Sequence, residues 1–151
     1  MKVCIMRHGE AGFSASSDSS RTLTDYGIEQ AKKAGIWLKE QNFHFDFGLV
    51  SPYLRAQQTL AELSSQVSVV KVTTDKFLVP GGNAFQVADT LTMLATNGVS
   101  NVIVVSHLPL VGYLVNELCP QVSPPMFPTA AIACVELSLD ASGKLEWFHQ
   151  A

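Results

Sequence analysis

The chain has 151 residues, of which 47% are hydrophobic and 15% are charged, so it can bury one substantial core and is not a disordered protein. Its net charge of −3 excludes the strongly basic surface that nucleic-acid binding requires. No apolar run approaches the roughly 20 residues that span a bilayer, and the three cysteines lack metal-site spacing. We therefore expect a cytoplasmic protein with no nucleic-acid or membrane partner, no disulfide and no zinc site.

The first half of the sequence alternates apolar runs with amphipathic segments. The predicted elements are a strand from Lys2 to Met6, a serine-rich loop from Gly12 to Ser20, a helix capped by Thr24 that ends at Gln41-Asn42, a strand from Phe47 to Val50, and a helix with Ser51 as its N-cap and Pro52 at its first position.

The second half continues this alternation. The predicted elements are a strand from Val67 to Val72, a turn at Pro80-Gly81-Gly82-Asn83, a helix from about Phe85 to Thr96, a strand from Asn101 to Val105, a helix beginning at Pro109, and a terminal hairpin in which Val135, Leu137 and Leu139 face one side. This order predicts the α/β class, with a largely parallel sheet and a single domain over residues 1–151.

Arginine and histidine side chains follow several of the predicted strands. Arg7 and His8 end the first strand, His107 follows the fourth, and Arg55 lies in the first turn of the helix after the second strand. Ligands of parallel sheets bind beyond the carboxyl ends of the strands, so these residues should meet at one edge. The chain has only three arginines, and the third, Arg21, follows the loop that leaves the first strand. Guanidinium forks of this kind match phosphate oxygens.

Two histidines among these arginines indicate chemistry on a phosphoryl group. A neutral imidazole is a competent nucleophile, and nearby arginines disfavour the protonated ring. By contrast, Ser51 and Ser106 lie outside any nucleophile-elbow motif, so we interpret them as caps or supporting donors. Cys4 lacks an arginine six residues later and is interpreted as a core residue. We expect His44 and His149 to face solvent.

Three motifs, which follow one another along the chain in the same order as in a known family, resemble that family. They are Arg7-His8-Gly9-Glu10, the segment from Ser51 to Thr59, and Ser106-His107. Together they resemble the histidine phosphatase superfamily, which has the phosphoglycerate-mutase-like fold. The segments Val105 to Val115 and Pro124 to Phe127 are similar to those of the SixA-type phosphohistidine phosphatases. The resemblance implies a three-layer α/β/α sandwich around the sheet.

The resemblance also implies the roles of the site residues. His8 would attack phosphorus and become phosphorylated, while Arg7, Arg55 and His107 hold the phosphoryl oxygens and Arg21 adds a further phosphate contact. Such catalysis depends on positioning and charge stabilisation and needs no metal or other cofactor.

One departure from the wider family concerns the general acid. Many members carry an acidic residue in the loop after the third strand, but the segment from Lys76 to Ala88 contains no Asp or Glu. An imidazole leaving group, with an ordinary pKa of about 6.5, departs far more readily than an alkoxide. The absence of this general acid is therefore tolerable for hydrolysis of a phosphohistidine and costly for hydrolysis of a phosphomonoester. Glu10 and Asp18 are the candidate proton donors if one is needed.

These features support one leading hypothesis and two alternatives. The leading hypothesis is a phosphohistidine phosphatase whose substrate, by the resemblance, is the histidine-containing phosphotransfer domain of a sensor kinase. The alternatives are a small-molecule phosphomonoester phosphatase or mutase, and a non-catalytic phosphoprotein-binding module. Only about 35 residues separate Leu63 from Asn101, which leaves no room for a cap insertion. We expect an open site rimmed by the Gly12–Ser20 and Pro80–Asn83 loops.

Overall fold

Six strands and four α-helices alternate along residues 1–150, the part of the chain that the computed structural model describes. The strands are β1 (Lys2–Arg7), β2 (Phe45–Val50), β3 (Val69–Thr74), β4 (Asn101–Ser106), β5 (Ile132–Leu137) and β6 (Gly143–His149). The helices are α1 (Asp25–Glu40), α2 (Leu54–Ser64), α3 (Ala84–Thr96) and α4 (Leu110–Leu118). Short 3₁₀ helices span Asp18–Ser20 and Lys76–Leu78.

The strands form one mixed sheet in the order β3-β2-β4-β1-β5-β6. The first four strands run parallel, whereas β5 is antiparallel to β1 and pairs with β6 in the terminal hairpin. In the register of β1 and β4, Arg7 lies opposite Ser106, so the two central strands end together. The predicted α/β class and the C-terminal hairpin are confirmed, but β5 ends at Leu137, so Leu139 does not share the buried side of Val135 and Leu137.

Helices cover both faces of the sheet because the central strands are apolar on both sides. From β1, Val3 and Ile5 face the core beneath α3 and α4, whereas Cys4 and Met6 face the core beneath α1 and α2. All four side chains are fully buried. The continuous apolar run in β1 therefore matches the three-layer arrangement. Cys4 is a core residue, as predicted, and lies opposite Cys134 in the β1–β5 register.

The predicted starts of two strands were wrong. Strand β3 begins at Val69 rather than Val67, because Val67 N–H donates to the Leu63 carbonyl and the Val67 side chain is buried at the end of α2. Strand β2 begins at Phe45, which is fully buried and whose N–H donates to the Ser68 carbonyl.

The prediction for His149 was also wrong. Its ring stacks on Trp37 of α1, with 3.6 Å between the ring centroids and 6° between the planes. The alternation of β6 places His149 on the same side of the strand as Trp147, which also contacts Trp37. His44 is exposed, as predicted.

The connection from β3 to β4 determines how the site edge is covered. Within residues 1–150, it contains only the short Lys76–Leu78 helix, a turn and α3. The Gly82 and Asn83 amides donate back to the Val79 and Phe77 carbonyls, which folds the turn on itself. No helix in the described residues has the length and apolar character needed to cross a membrane.

Candidate active site

The ends of β1 and β4 bring two buried histidines together. The ring centroids of His8 and His107 are 5.1 Å apart, and the two residues are 6% and 1% exposed. The His8 amide donates to the Ser106 carbonyl at 3.0 Å, which ties the two strand ends to each other. The structure therefore brings together the two histidines that the sequence placed at one edge of the sheet.

The hydrogen bonds of His8 identify its reactive nitrogen. Nδ1 lies 2.7 Å from the Gly9 carbonyl oxygen, which can only accept, so Nδ1 carries the proton of the neutral ring. The lone pair is then on Nε2, where it accepts from Arg55 Nε at 3.2 Å. Nε2 is thus the atom of His8 that can act as a nucleophile.

The surroundings of His8 keep its ring neutral. Burial lowers the pKa of His8 to about 4, the Gly9 hydrogen bond opposes that shift, and the charges of Arg55 and Arg7 add to it. Because protonation would remove the Nε2 lone pair, a low pKa keeps the nucleophile available at neutral pH.

His107 is oriented by a serine hydroxyl. Its Nε2 lies 2.7 Å from Ser51 Oγ, while Nδ1 is buried without a hydrogen-bond partner. Burial, followed by the influence of His8 and Arg55, lowers the pKa of His107 to about 3. The tautomer in which Ser51 donates to Nε2 leaves Nδ1–H as a free donor for a substrate oxygen.

Ser51 does not have the capping role that the sequence predicted. Helix α2 begins at Leu54, and Ser51 Oγ accepts from the Tyr53 amide at 3.2 Å while it also contacts His107. Pro52 precedes the helix instead of occupying its first position. The N-cap assignment was therefore wrong, whereas the alternative interpretation of Ser51 as a supporting donor agrees with its contact to His107. Ser106 has a structural role, since its hydroxyl donates to the Leu78 carbonyl at 2.6 Å.

Arg7 has an unsatisfied donor at the site. Its Nη1 donates to the Phe127 carbonyl at 3.0 Å, whereas Nε is buried without a partner. Burial, followed by the positive charges of Arg55 and Arg21, lowers the pKa of Arg7. Unpartnered buried polar groups of this kind are uncommon, so Arg7 Nε and His107 Nδ1 are donors whose hydrogen bonds remain available to a bound anion.

Asp18 binds the other two arginines. Its Oδ2 accepts from Arg55 Nη2 at 3.2 Å, and its Oδ1 accepts from Arg21 Nη1 at 3.1 Å. The Asp18 main-chain oxygen accepts from Arg55 Nη1 at 2.6 Å. Hydrogen bonding by Arg21 and then Arg55 lowers the pKa of Asp18, so this carboxyl is ionised at neutral pH. That ionisation argues against Asp18 as the proton donor.

A cavity of about 400 Å³ opens above the site. Its lining residues are Arg7, His8, Glu10, Ala11, Gly12, Phe13, Arg21, Thr24 and Thr129. Glu10 belongs to this lining, and its Oε1 accepts from the Thr24 hydroxyl at 3.0 Å. The predicted rim was only partly right, because the folded-back Pro80–Asn83 turn does not line the cavity and Thr129 does.

Supporting residues that sequence reasoning did not assign hold the site together. Thr59 Oγ1 accepts from the Gly9 amide at 3.0 Å and donates to the Arg55 carbonyl at 2.8 Å. Gln57 donates to the Ser51 carbonyl, and Gln58 accepts from the Leu23 amide. Gln57, Gln58 and Thr59 all lie in the Ser51–Thr59 motif. The motif therefore pointed to these residues, although the sequence alone did not reveal which hydrogen bonds they make.

The α1 side of the site depends on a further glutamine and on a close backbone approach. Gln30 Oε1 accepts from the Glu10 amide at 2.8 Å, and Gln30 Nε2 donates to the Thr129 hydroxyl at 3.0 Å. A Cβ atom at Gly27 would collide with the Glu10 carbonyl, so only glycine permits this contact. Nothing in the helical pattern of α1 distinguished Gln30 from an exposed polar residue.

The site offers cationic and neutral donors instead of metal ligands. Within residues 1–150, no three or more His, Cys, Asp and Glu side chains are grouped so that they could hold a metal ion. Three guanidinium groups and the second neutral imidazole, His107, lie around the lone pair of His8 Nε2. This arrangement can bind a phosphoryl group and accept it on His8 Nε2.

Comparison with known proteins agrees with this arrangement. Residues 3–79 match the sequence profile of the histidine phosphatase superfamily, branch 1. The chain is 45% identical to the phosphohistidine phosphatase SixA of Escherichia coli strain K12, over 97% of this chain and 92% of that protein. It is 40% identical to the SixA homologue of Haemophilus influenzae, over 100% and 96% of the two chains.

Solved structures extend the match to three dimensions. A protein histidine phosphatase SixA complexed with tungstate superposes with a TM-score of 0.96 at 45% identity, covering 98% of this chain and 96% of that one. A phosphoserine phosphatase of Entamoeba histolytica has the same fold, with a TM-score of 0.75 at 17% identity and coverages of 99% and 97%. The chain belongs to the histidine phosphatase superfamily.

Proposed function

We propose that this protein is a phosphohistidine phosphatase that acts on the histidine-containing phosphotransfer domain of a sensor kinase. The observation that carries the proposal is the neutral His8 Nε2, which lies among arginine donors and beside a second neutral histidine. The close relatives named as phosphohistidine phosphatases support the substrate class.

The reaction would proceed in two displacements on phosphorus. His8 Nε2 attacks, the P–N bond of the substrate phosphohistidine breaks, and the freed imidazole of the substrate takes up a proton. Water then attacks phosphorus in phospho-His8, which releases inorganic phosphate and restores the lone pair on Nε2. Arg7, Arg55 and His107 would hold the phosphoryl oxygens through both steps, with Arg21 at the rim.

The surroundings of the site suit a good leaving group. Asp75, the acidic residue nearest the start of the Lys76–Ala88 segment, accepts from the Phe77 amide at 2.8 Å and so serves as a helix cap. Asp18 is ionised and bound to two arginines. Glu10 on the cavity wall is the remaining candidate proton donor. An imidazole leaving group makes little demand on such an acid.

A protein substrate fits the shape of this surface. The chain is proposed to be a single domain without a cap, so the phosphoryl site would be open to a folded partner. Two large apolar side chains near the site are unusually exposed: Phe13, which lines the cavity, is 84% exposed, and Met126, which adjoins the Phe127 carbonyl bound by Arg7, is 78% exposed. Exposed apolar groups of this kind are typical of protein contact sites. Such an enzyme would work in the cytoplasm, where phosphotransfer domains act.

Phosphate release from a substrate panel tests this proposal. The panel contains an intact phosphorylated phosphotransfer domain, free phosphohistidine, a sugar phosphate and phosphoglycerate. We expect the phosphoprotein to have much the highest kcat/KM, because remote contacts position it. His8→Ala should abolish turnover and the acid-labile phosphoenzyme, whereas the exposed-histidine control His44→Ala should retain both.

The other outcomes identify the alternatives. Equal kcat/KM for phosphoprotein and free phosphohistidine would contradict a protein substrate. Turnover of phosphomonoesters with none of phosphohistidine would indicate a small-molecule phosphatase or mutase. Failure of every donor to form a phosphoenzyme would indicate a non-catalytic binding module.

A further inference from the structure

Asp18 occupies the arginines that the phosphoryl group needs. Its carboxylate accepts from Arg55 Nη2 and Arg21 Nη1, and its main-chain oxygen accepts from Arg55 Nη1. The third nitrogen of Arg55, Nε, donates to His8 Nε2 at 3.2 Å. Every nitrogen of the Arg55 guanidinium therefore already has a partner within the protein.

The position of Asp18 also controls access to Arg55. The Arg55 side chain is 5% exposed, whereas the Asp18 side chain above it is 57% exposed. Arg7, His8 and Arg21 line the open cavity, but Arg55 does not. The Asp18 oxygens engage one N–H of Nη1 and one N–H of Nη2, so a phosphoryl oxygen competes with Asp18 for these two nitrogens of Arg55.

We propose that Asp18 is a competing anion: its carboxylate occupies Arg55 and Arg21 in the free enzyme and is displaced when the phosphoryl group binds. This inference rests on the proposed function, since it assigns those arginines to phosphate. Asp18 acts through Arg55 and Arg21 and is neither a proton donor nor a nucleophile. It is carried by the short Asp18–Ser20 helix, which lies in the serine-rich loop.

The exchange would couple binding to activation of the nucleophile. Two carboxylate–guanidinium hydrogen bonds break, and hydrogen bonds from the same nitrogens to phosphoryl oxygens form. The lone pair of His8 Nε2 can attack phosphorus only after its hydrogen bond from Arg55 Nε–H is broken. A rearrangement of Arg55 therefore exposes the nucleophile. When phosphate is the product, the returning carboxylate competes with it and favours its release.

Phosphate affinity provides the test. The dissociation constant of inorganic phosphate is measured by calorimetry at about 0.15 M ionic strength, close to physiological salt, for the wild type, Asp18→Asn and Asp18→Ala. Removing a partly exposed carboxylate paired with two arginines should tighten binding about fivefold to tenfold. Glu117→Gln is the matched control, because this exposed residue at the far end of α4 has the same charge and should leave the constant unchanged.

Each outcome has a defined meaning. Phosphate binding that is unchanged or weaker in both Asp18 variants would overturn the proposal, and weaker binding would mean that Asp18 only positions the arginines. Arg55→Ala tests the phosphate site itself: if it binds phosphate as tightly as the wild type, the site assignment fails. If the Asp18 variants bind phosphate more tightly but the wild type does not turn over phosphohistidine, the role of Asp18 as a competing anion would be supported and the proposed activity would be contradicted.

Discussion

The two site histidines should make the stability of the protein depend on pH in a specific window. Burial is the main cause that lowers the pKa of His8 from 6.5 to about 4 and that of His107 from 6.5 to about 3. Between those values and 6.5, the unfolded chain binds more protons than the folded chain, so the free energy of unfolding rises with pH. The contribution is complete above pH 6.5 and is lost as the pH falls toward 4.

The size of the effect follows from the lowered pKa of His8. One pKa unit corresponds to about 1.4 kcal/mol, so His8 alone should remove roughly 2 kcal/mol of stability between about pH 7 and pH 5. Carboxylates titrate mostly below this window, so histidines dominate it. In urea denaturation at the two pH values, the loss should be smaller by roughly that amount in His8→Ala than in the wild type.

A matched variant separates this effect from a general change in stability. His44→Ala removes an exposed histidine and keeps both site histidines, so it should lose as much stability as the wild type over the same pH interval. The same loss in His8→Ala as in the wild type would refute the reasoning, because His8 would then be as easily protonated in the folded state as in the unfolded state.

Two further predictions concern the groups that hold the site. Arg55→Lys keeps the charge but loses the guanidinium fork that contacts His8 and Asp18, so kcat/KM should fall about a hundredfold or more. A kcat/KM in Arg55→Lys equal to that of the wild type would show that the fork is not needed. Thr59→Val leaves the Gly9 amide without its acceptor and should lower the free energy of unfolding, measured in urea, by about 1–3 kcal/mol. Thr59→Ser keeps the hydroxyl and should lower it much less, and equal losses in the two variants would contradict the role of that hydroxyl.

The sequence by itself determined the fold class and which residues should meet at the candidate site. The apolar runs at Lys2 to Met6 and Asn101 to Val105 are strands because they are buried on both faces, and a local pattern is enough to reveal that. Strand ends in a parallel sheet meet at one edge, so the sequence alone predicts that residues following the strands, such as His8 and His107, lie together, as they do.

Only the tertiary structure decided how those residues are held. Ser51 bonds to His107, 56 positions away, and Asp18 bonds to Arg55, 37 positions away. Neither partner is encoded by local spacing. The stacking of His149 on Trp37 joins β6 to α1, two elements far apart in the sequence, in the same way. Sequence periodicity reports which face of an element is buried, but the hydrogen bonds of a polar side chain depend on which distant segment folds against it.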